Sequence, residues 1–319
     1  MVDKKALLLV DGHNVFIRAY SGLAKQDFRN TDGVPTWGVY GFLNTLAAMT
    51  RRHNPTHILV TFDKGKSSKR LEMYPQYKAN RDKSAKERKE QRQATGEVDE
   101  FLPQLDLLFE FLKTMGIPYL RIDGVEADDI IAKASVEFRP LFEKVIIVSA
   151  DHDIRQLVRS NVIVVKPSLS QSRDVKEEVF TVENIIEEWG VEPWRLPEVW
   201  ALMGDKGDNI PGVPGIGPVK AKKLIQTFGT FEKALQSEKV NEYEPTVRRA
   251  FNLINLDGKD DIPFPPLGNL QFNPVKKETP EHGLKLAEMF DYAEFSVMKE
   301  RWENNELWFE KTFGRKLGK

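Results

Sequence analysis

The chain has 319 residues, 40% hydrophobic and 30% charged, a globular composition with room for one large or two ordinary cores. It contains no cysteine, which excludes disulfide frameworks, thiolate zinc sites and thiol catalysis. The net charge of -1 hides an asymmetry: residues 64–92 hold eleven Lys or Arg against four Asp or Glu, so this segment is +7 and the remainder -8.

An acidic body with one basic segment suggests a polyanionic partner held beside a cation site, although a solvated helix face would carry similar charges. The apolar residues that follow Met1–Ala6 are too few for a signal peptide, and no apolar run approaches membrane-spanning length. The expectation is a soluble cytoplasmic protein with no membrane partner.

Ala6–Val10 is a short apolar run stopping at Asp11-Gly12, the pattern of a strand buried on both faces with a carboxylate at its C-terminal end. Val39, Phe42, Leu43, Leu46 and Met49 form a helical stripe across 38–53, and His57–Phe62 is a second strand ending on a carboxylate, Asp63. After the basic segment, Asp99 can cap a helix with an apolar face of Phe101, Leu105, Leu108, Phe109, Leu112 and Met115, closed by Gly116. Pro118–Ile122 is a weaker third strand. It runs into Gly124-Val-Glu126-Ala-Asp128-Asp129, where three carboxylates open a helix through Ile130, Ile131 and Ala134. Lys144–Ser149 is a fourth strand, followed at once by Asp151 and Asp153, and Val162–Val165 is a fifth.

From about residue 181 the pattern is helices and loops. Thr181 can cap a short helix, Pro197–Met203 makes another, and a Gly/Pro-rich stretch over 204–218 precedes a helix with Lys220, Lys222 and Lys223. Helical segments follow near 231–236 and 245–256. Pro263–Pro266 reads as a linker, and 283–313 as a helix packing back on the body. The expected division is an α/β region over 1–180 and a helical region over 181–319 that includes the C-terminal tail.

Strands alternating with helices predict a largely parallel sheet, and ligands of such sheets bind beyond the C-terminal strand ends. Asp11, Asp63, the Glu126 cluster, Asp151 and Asp153 should converge there, although singly each Asp could be a turn residue or helix cap. Asp205 and Asp208 raise the carboxylates to nine, more than one divalent ion requires. An all-oxygen donor set suits Mg²⁺ or Mn²⁺. Two ions about 4 Å apart stabilise the attacking and leaving oxygens of an in-line displacement, so phosphodiester hydrolysis is the expected chemistry. His13 and His152 flank ligand positions and are assigned no role.

The glycine-rich stretch lacks the ending of a P-loop, the third glycine of a dinucleotide fingerprint and the closing Glu of a calcium loop. Gly215-Ile216-Gly217 remains as a hairpin between helices. Either its amides and the next helix's N-terminus hold a phosphate, with Lys220 and Lys222 adding attraction, or it is an ordinary interhelical turn. Tyr74 and Tyr77 interleave with Lys78 and Arg81, and either stack on unpaired bases or pack in the core.

Six motifs in chain order resemble the flap endonuclease family, in detail the 5′-nuclease domain of bacterial DNA polymerase I and its stand-alone phage relatives. They are Asp11-Gly-His-Asn14, Phe62-Asp-Lys-Gly65, Tyr77-Lys-Ala-Asn-Arg81, Gly124–Asp129, Ser149-Ala-Asp-His-Asp153 and Gly204–Gly217. The resemblance implies a PIN-like, resolvase-like α/β fold with flanking helices. It adds a basic helical arch over about 64–97 and a helix-hairpin-helix over about 197–228. It further implies one metal on Asp11, Asp63, Glu126 and Asp128, and a second on Asp129, Asp151, Asp153, Asp205 and Asp208. Lys78 and Arg81 would polarise the scissile phosphate, with Asp128 counted beside them as catalytic and Tyr77 near the unpaired 5′ end. Arg18, Lys64 and Arg70 are further candidate DNA contacts. The hairpin, through Gly215, Gly217, Lys220 and Lys222, would grip duplex DNA with a potassium ion at Val213 and Ile216. The implied activity is a monomeric, Mg²⁺-dependent 5′-3′ exonuclease and 5′-flap endonuclease acting on DNA in primer removal, replication or repair, with Mn²⁺ able to substitute. A PIN-like ribonuclease and a catalytically silent DNA-binding module are the alternatives.

Overall fold

The computed structural model describes residues 5–95, 98–168, 176–272 and 280–304. Its centre is a six-stranded sheet in the order β3 (Tyr119–Leu120), β2 (His57–Thr61), β1 (Ala6–Asp11), β4 (Lys144–Val148), β5 (Val162–Pro167), β6 (Glu177–Phe180). The first five strands are parallel and β6 is an antiparallel edge. Every residue of β1 is buried, with Leu7 and Leu9 in one apolar core and Ala6, Leu8 and Val10 in the other. That two-sided burial is why the strand reads as an unbroken apolar run.

One face of the sheet carries α1 (Gly12–Leu23), α2 (Trp37–His53) and α5 (Phe101–Thr114). Between β2 and α5 the basic segment folds as α3 (Ser68–Met73) and α4 (Ala79–Thr95). The opposite face carries α6 (Ala127–Phe138), α7 (Val182–Trp189), α8 (Leu196–Met203), α9 (Pro218–Phe228), α10 (Phe231–Leu235) and α11 (Glu244–Ile254). A single core on that side runs from Leu7 and Leu9 through Ile131 and Ile154 to Trp200, Ile225 and Leu253. The α/β and helical regions therefore share one hydrophobic interior, and the change of pattern near residue 181 is not a gap between bodies.

The five expected strands form, the third only two residues long. Helix α1 adds to that reading: Val15, Phe16, Ala19 and Leu23 have helical spacing and are buried, but the polar His13-Asn14 start obscures the stripe. Strand β6 is also additional, because Glu178 and Val179 are exposed on an edge and Glu177-Glu178-Val179 lacks an apolar alternation. The middle of α4 is helical. Ala, Arg, Lys, Glu and Gln supply the propensity, and residues 81–87 all face solvent.

The expected C-terminal helix is two helices, α12 (Pro280–Tyr292) and α13 (Ser296–Glu303), broken where Glu294 turns left-handed at φ +58°. The remainder of the predicted 283–313 span, from 305 on, lies outside the described residues. Leu286, Phe290, Met298 and Trp302 enter the core beside α5, with Phe290 and Phe111 ring centres 5.5 Å apart. The tail thus returns to the α/β body. No described helix is long and apolar enough to cross a membrane.

Candidate metal centre

The chain passes from β1 to β2 and β3 on one side and places β4 and β5 on the other, so the crevice beyond β1 and β4 is a topological switch point. A cavity of about 290 Å³ opens there. Eight of the nine expected carboxylates line it: Asp11, Asp63, Glu126, Asp128, Asp151, Asp153, Asp205 and Asp208. Arg18, Lys78 and Arg81 complete its charged wall, so eight acids face three permanent cations.

Each acid is held by short local chemistry. Asp11 caps α1, accepting from the Asn14 amide at 3.0 Å and from the Ser149 hydroxyl at 2.7 Å, which ties the ends of β1 and β4 together. The Asn14 side chain in turn accepts from the Ala150 amide at 3.1 Å. Asp63 accepts from the Ala127 amide at 2.7 Å and so covers the first turn of α6, favourable for an anion at a helix N-terminus. Asp151 accepts from the Asp153 amide at 3.0 Å, shaping the turn that presents both acids. Asp205 accepts from the Gly207 amide at 2.7 Å. Its loop is closed by β7 (Gly204–Asp205) and β8 (Ile210–Pro211), which approach so closely that a Cβ on Gly212 would lie 2.2 Å from the Gly204 nitrogen.

Lys78 forms the opposite wall. Its backbone is left-handed at φ +54°, a cost for a side-chain-bearing residue, and its amide bonds the Asp208 carbonyl at 2.9 Å. The ammonium sits 2.8 Å from Glu126 and 3.7 Å from Asp208, and Arg81 also pairs with Asp208.

Charge divides this cavity. Burial is the main influence on Glu126 and opposes its ionisation, but Lys78 and Arg70 outweigh it and hold its carboxyl below the usual range. Elsewhere burial prevails. It raises Asp11 to about 7, helped by Asp63 and Asp151, and raises Asp153 to about 7 despite His152. Asp128 is pushed well above the ordinary range by burial and by the charges of Asp151, Asp11 and Asp63. Carboxyls that resist ionisation because too few cations face them favour a hard, multiply charged ion. The donor chemistry therefore fits divalent metal.

The structure corrects three expected site residues. Asp129 does not line the cavity: α6 turns it away from Asp128, and Arg70 grips it bidentately at 2.6 and 2.8 Å. Arg70 is consequently buried, 7% exposed, and also donates to the Leu253 carbonyl at 2.8 Å, so it is no surface for DNA. Tyr77 is 3% exposed and donates its hydroxyl to Glu126 at 2.9 Å. It packs in the core behind Glu126 and Asp208 rather than presenting a platform for bases, and Tyr74 is partly buried under Arg249.

Of the other expected contacts, Arg18 lines the cavity and donates to the Pro167 carbonyl at 3.0 Å, while Lys64 lies outside it, paired with Asp123 at 2.7 Å. Between α8 and α9, Gly215 is left-handed at φ +75°, with open space around Gly215 and Gly217. Val213 and Ile216 are buried, and the Val213 carbonyl accepts from the Ile216 amide at 3.1 Å. Lys220 donates to the Gly215 carbonyl at 2.8 Å, and Lys222 to the Glu188 carbonyl at 2.6 Å. Asn14, Ser149 and His152 belong to the site without having been selected from sequence; their proximity to Asp11, Asp151 and Asp153 was the available signal.

The profile of the 5′-3′ exonuclease N-terminal resolvase-like domain matches residues 6–190, and that of the 5′-3′ exonuclease C-terminal SAM fold matches 191–263. A 5′-3′ exonuclease of Aquifex aeolicus is 35% identical over 264 residues, 81% of this chain and 84% of that protein. DNA polymerase I of Mycobacterium bovis is 35% identical over 234 residues, 73% of this chain but 24% of the polymerase, so the chain spans about a quarter of such a relative. T5 5′-exonuclease, solved with zinc bound, superposes with a TM-score of 0.68 at 26% identity, over 91% of this chain and 100% of that one.

Proposed function

The chain belongs to the 5′-3′ exonuclease family, whose members hydrolyse phosphodiester bonds, and on that premise we propose that it is a Mg²⁺-dependent, structure-specific 5′ nuclease of DNA. The observation that carries the proposal is the convergence of eight carboxylates, from separate strand ends and one hairpin, on a cavity walled by Lys78 and Arg81. Two divalent ions held by these acids would activate water and spread the charge of an in-line displacement. Lys78 and Arg81 line the same cavity and would supply the charge to orient an entering phosphate. The hairpin before α9 offers open backbone at Gly215 and Gly217 to the phosphates of a duplex, and carbonyls at Val213 and Ile216 to a potassium ion. Its substrates would be 5′ flaps and nicked or RNA-primed duplexes, met in replication and repair by a monomer.

The test incubates end-labelled flap, nicked, blunt and RNA-primed duplexes with the protein in Mg²⁺ or EDTA. Cleavage at the flap junction that requires Mg²⁺ is expected. Undiminished cutting in EDTA, or by the Asp151→Asn/Asp153→Asn double variant, would sink the two-ion reading.

A further inference from the structure

The wall around Glu126 and Asp208 carries its own cations, Lys78 and Arg81. The wall formed by Asp151 and Asp153 differs. Among the described residues, the side chain that pairs with both acids is an imidazole, His152, with Nδ1 3.5 Å from Asp151 and Nε2 3.2 Å from Asp153. One donor atom from each of the three lies within 4.8 Å of the others. Ligands on opposite sides of a single ion at about 2.0–2.2 Å stand a little over 4 Å apart, so this span is close to that of a shared coordination sphere. His152 lines the cavity with its ring half-exposed and set edge-on against Trp200, centres 5.3 Å apart and planes at 76°, so one edge of the imidazole rests on the wall.

We propose that His152 supplies a nitrogen ligand to a divalent ion shared with Asp151 and Asp153, and that this donor tilts the ion's selectivity towards Mn²⁺, Co²⁺ or Zn²⁺ over Mg²⁺. Oxygen donors discriminate weakly among these ions, whereas imidazole strongly favours the transition metals. The inference rests on the carboxylates holding divalent ions, as in the proposed function, but does not depend on the substrate. The competing role is a protonated imidazolium serving as a counter-ion to the two acids. The two roles predict opposite responses: loss of a ligand weakens transition-metal binding selectively, whereas loss of a competing cation strengthens binding of every ion.

Calorimetric titration of the full chain with Mg²⁺, Mn²⁺ and Zn²⁺, and visible absorption with Co²⁺, are measured for wild type, His152→Ala and His152→Gln at one pH. The expected result is a loss of Zn²⁺ and Co²⁺ affinity of about tenfold or more in both variants, with Mg²⁺ affinity changed by less than about threefold and the Co²⁺ bands shifted. Equal changes for all ions, tighter binding throughout, or an unaltered Co²⁺ spectrum would overturn the nitrogen ligand while leaving the nuclease reading intact. Wild type that binds none of these ions would overturn that reading and the inference together.

Discussion

Asp128 and Asp129 are neighbours in the first turn of α6, the first half-buried on the cavity wall and the second buried, and they face different surroundings. Asp129 meets Arg70 in a bidentate pair beside the Leu253 carbonyl; burial still raises its carboxyl, but Arg70 opposes that rise and pairs its charge within the fold. Asp128 faces Asp151, Asp11 and Asp63, and its carboxyl resists ionisation. A buried carboxylate answered by a guanidinium is architecture, whereas one surrounded by other acids is a place for a cation. Motif membership alone does not separate the two, because both acids belong to the same Gly124–Asp129 run.

The difference is broken most sharply by removing each charge in turn. Asp128→Asn is expected to lower flap cleavage on the order of 10³-fold or more while leaving the metal-free melting temperature unchanged or higher, since it removes a mutual repulsion. Cleavage assays beside calorimetric melting read both quantities. A lowered melting temperature would show that Asp128 is compensated after all. Asp129→Asn should do the reverse in stability, costing roughly 3 kcal/mol because it removes the bidentate partner of the buried Arg70 cation and leaves it only the more distant Glu126 at 3.4 Å. The Arg70→Met/Asp129→Leu pair should recover more than half of that cost in urea unfolding, and failure to recover it would mean that the ion pair is not the source.

The uncompensated half also predicts a pH dependence. Asp11 and Asp153 are raised from an ordinary value of 3.8 to about 7, mainly by burial, so the folded state favours their protonated form. Their contribution to stability is fully present below about pH 4 and is lost as pH rises through about 7. Metal-free protein should therefore lose roughly 2–4 kcal/mol of site-derived stability by pH 8.5, and Asp11→Asn should remove part of the slope. Saturating Mg²⁺ should raise the melting temperature more at pH 8.5 than at pH 5.5. A flat metal-free profile would contradict the charge division.

The strand ends were legible because strands buried on both faces write themselves as apolar runs, and a run that stops on Asp marks the site directly. Asp11 and Asp63, and Asp151 and Asp153 just beyond β4, are found that way, as is the parallel sheet that gathers them. The fate of Asp129 was not legible, since its partner lies 59 residues away on a short helix whose orientation depends on packing against α11. Tyr77 stayed open between stacking and core packing for a related reason. An aromatic between cations looks like a stacking surface until the fold shows which face is covered, and here Glu126 and Asp208 claim its hydroxyl. His152 gave no periodic signal at all; its meaning comes only from lying between two acids that a turn brings round one point.

The same distinction between charge used inside the fold and charge offered outside it reaches the hairpin, where the effects are smallest. Lys222 is half-buried, donates to the Glu188 carbonyl and lies 4.5 Å from the centre of the Trp189 ring, so its charge is largely engaged. Lys220 is exposed beside the open backbone of Gly215, bonded only at its tip to that carbonyl. On a nicked duplex, Lys220→Ala should weaken binding and reduce the slope of log affinity against log salt by about one, the signature of one lost phosphate contact. Lys222→Ala should leave that slope in place and cost at most about 1 kcal/mol of stability. Equal salt slopes for the two variants would mean that Lys220 is as internally engaged as Lys222, and would move the duplex contact away from the N-terminus of α9.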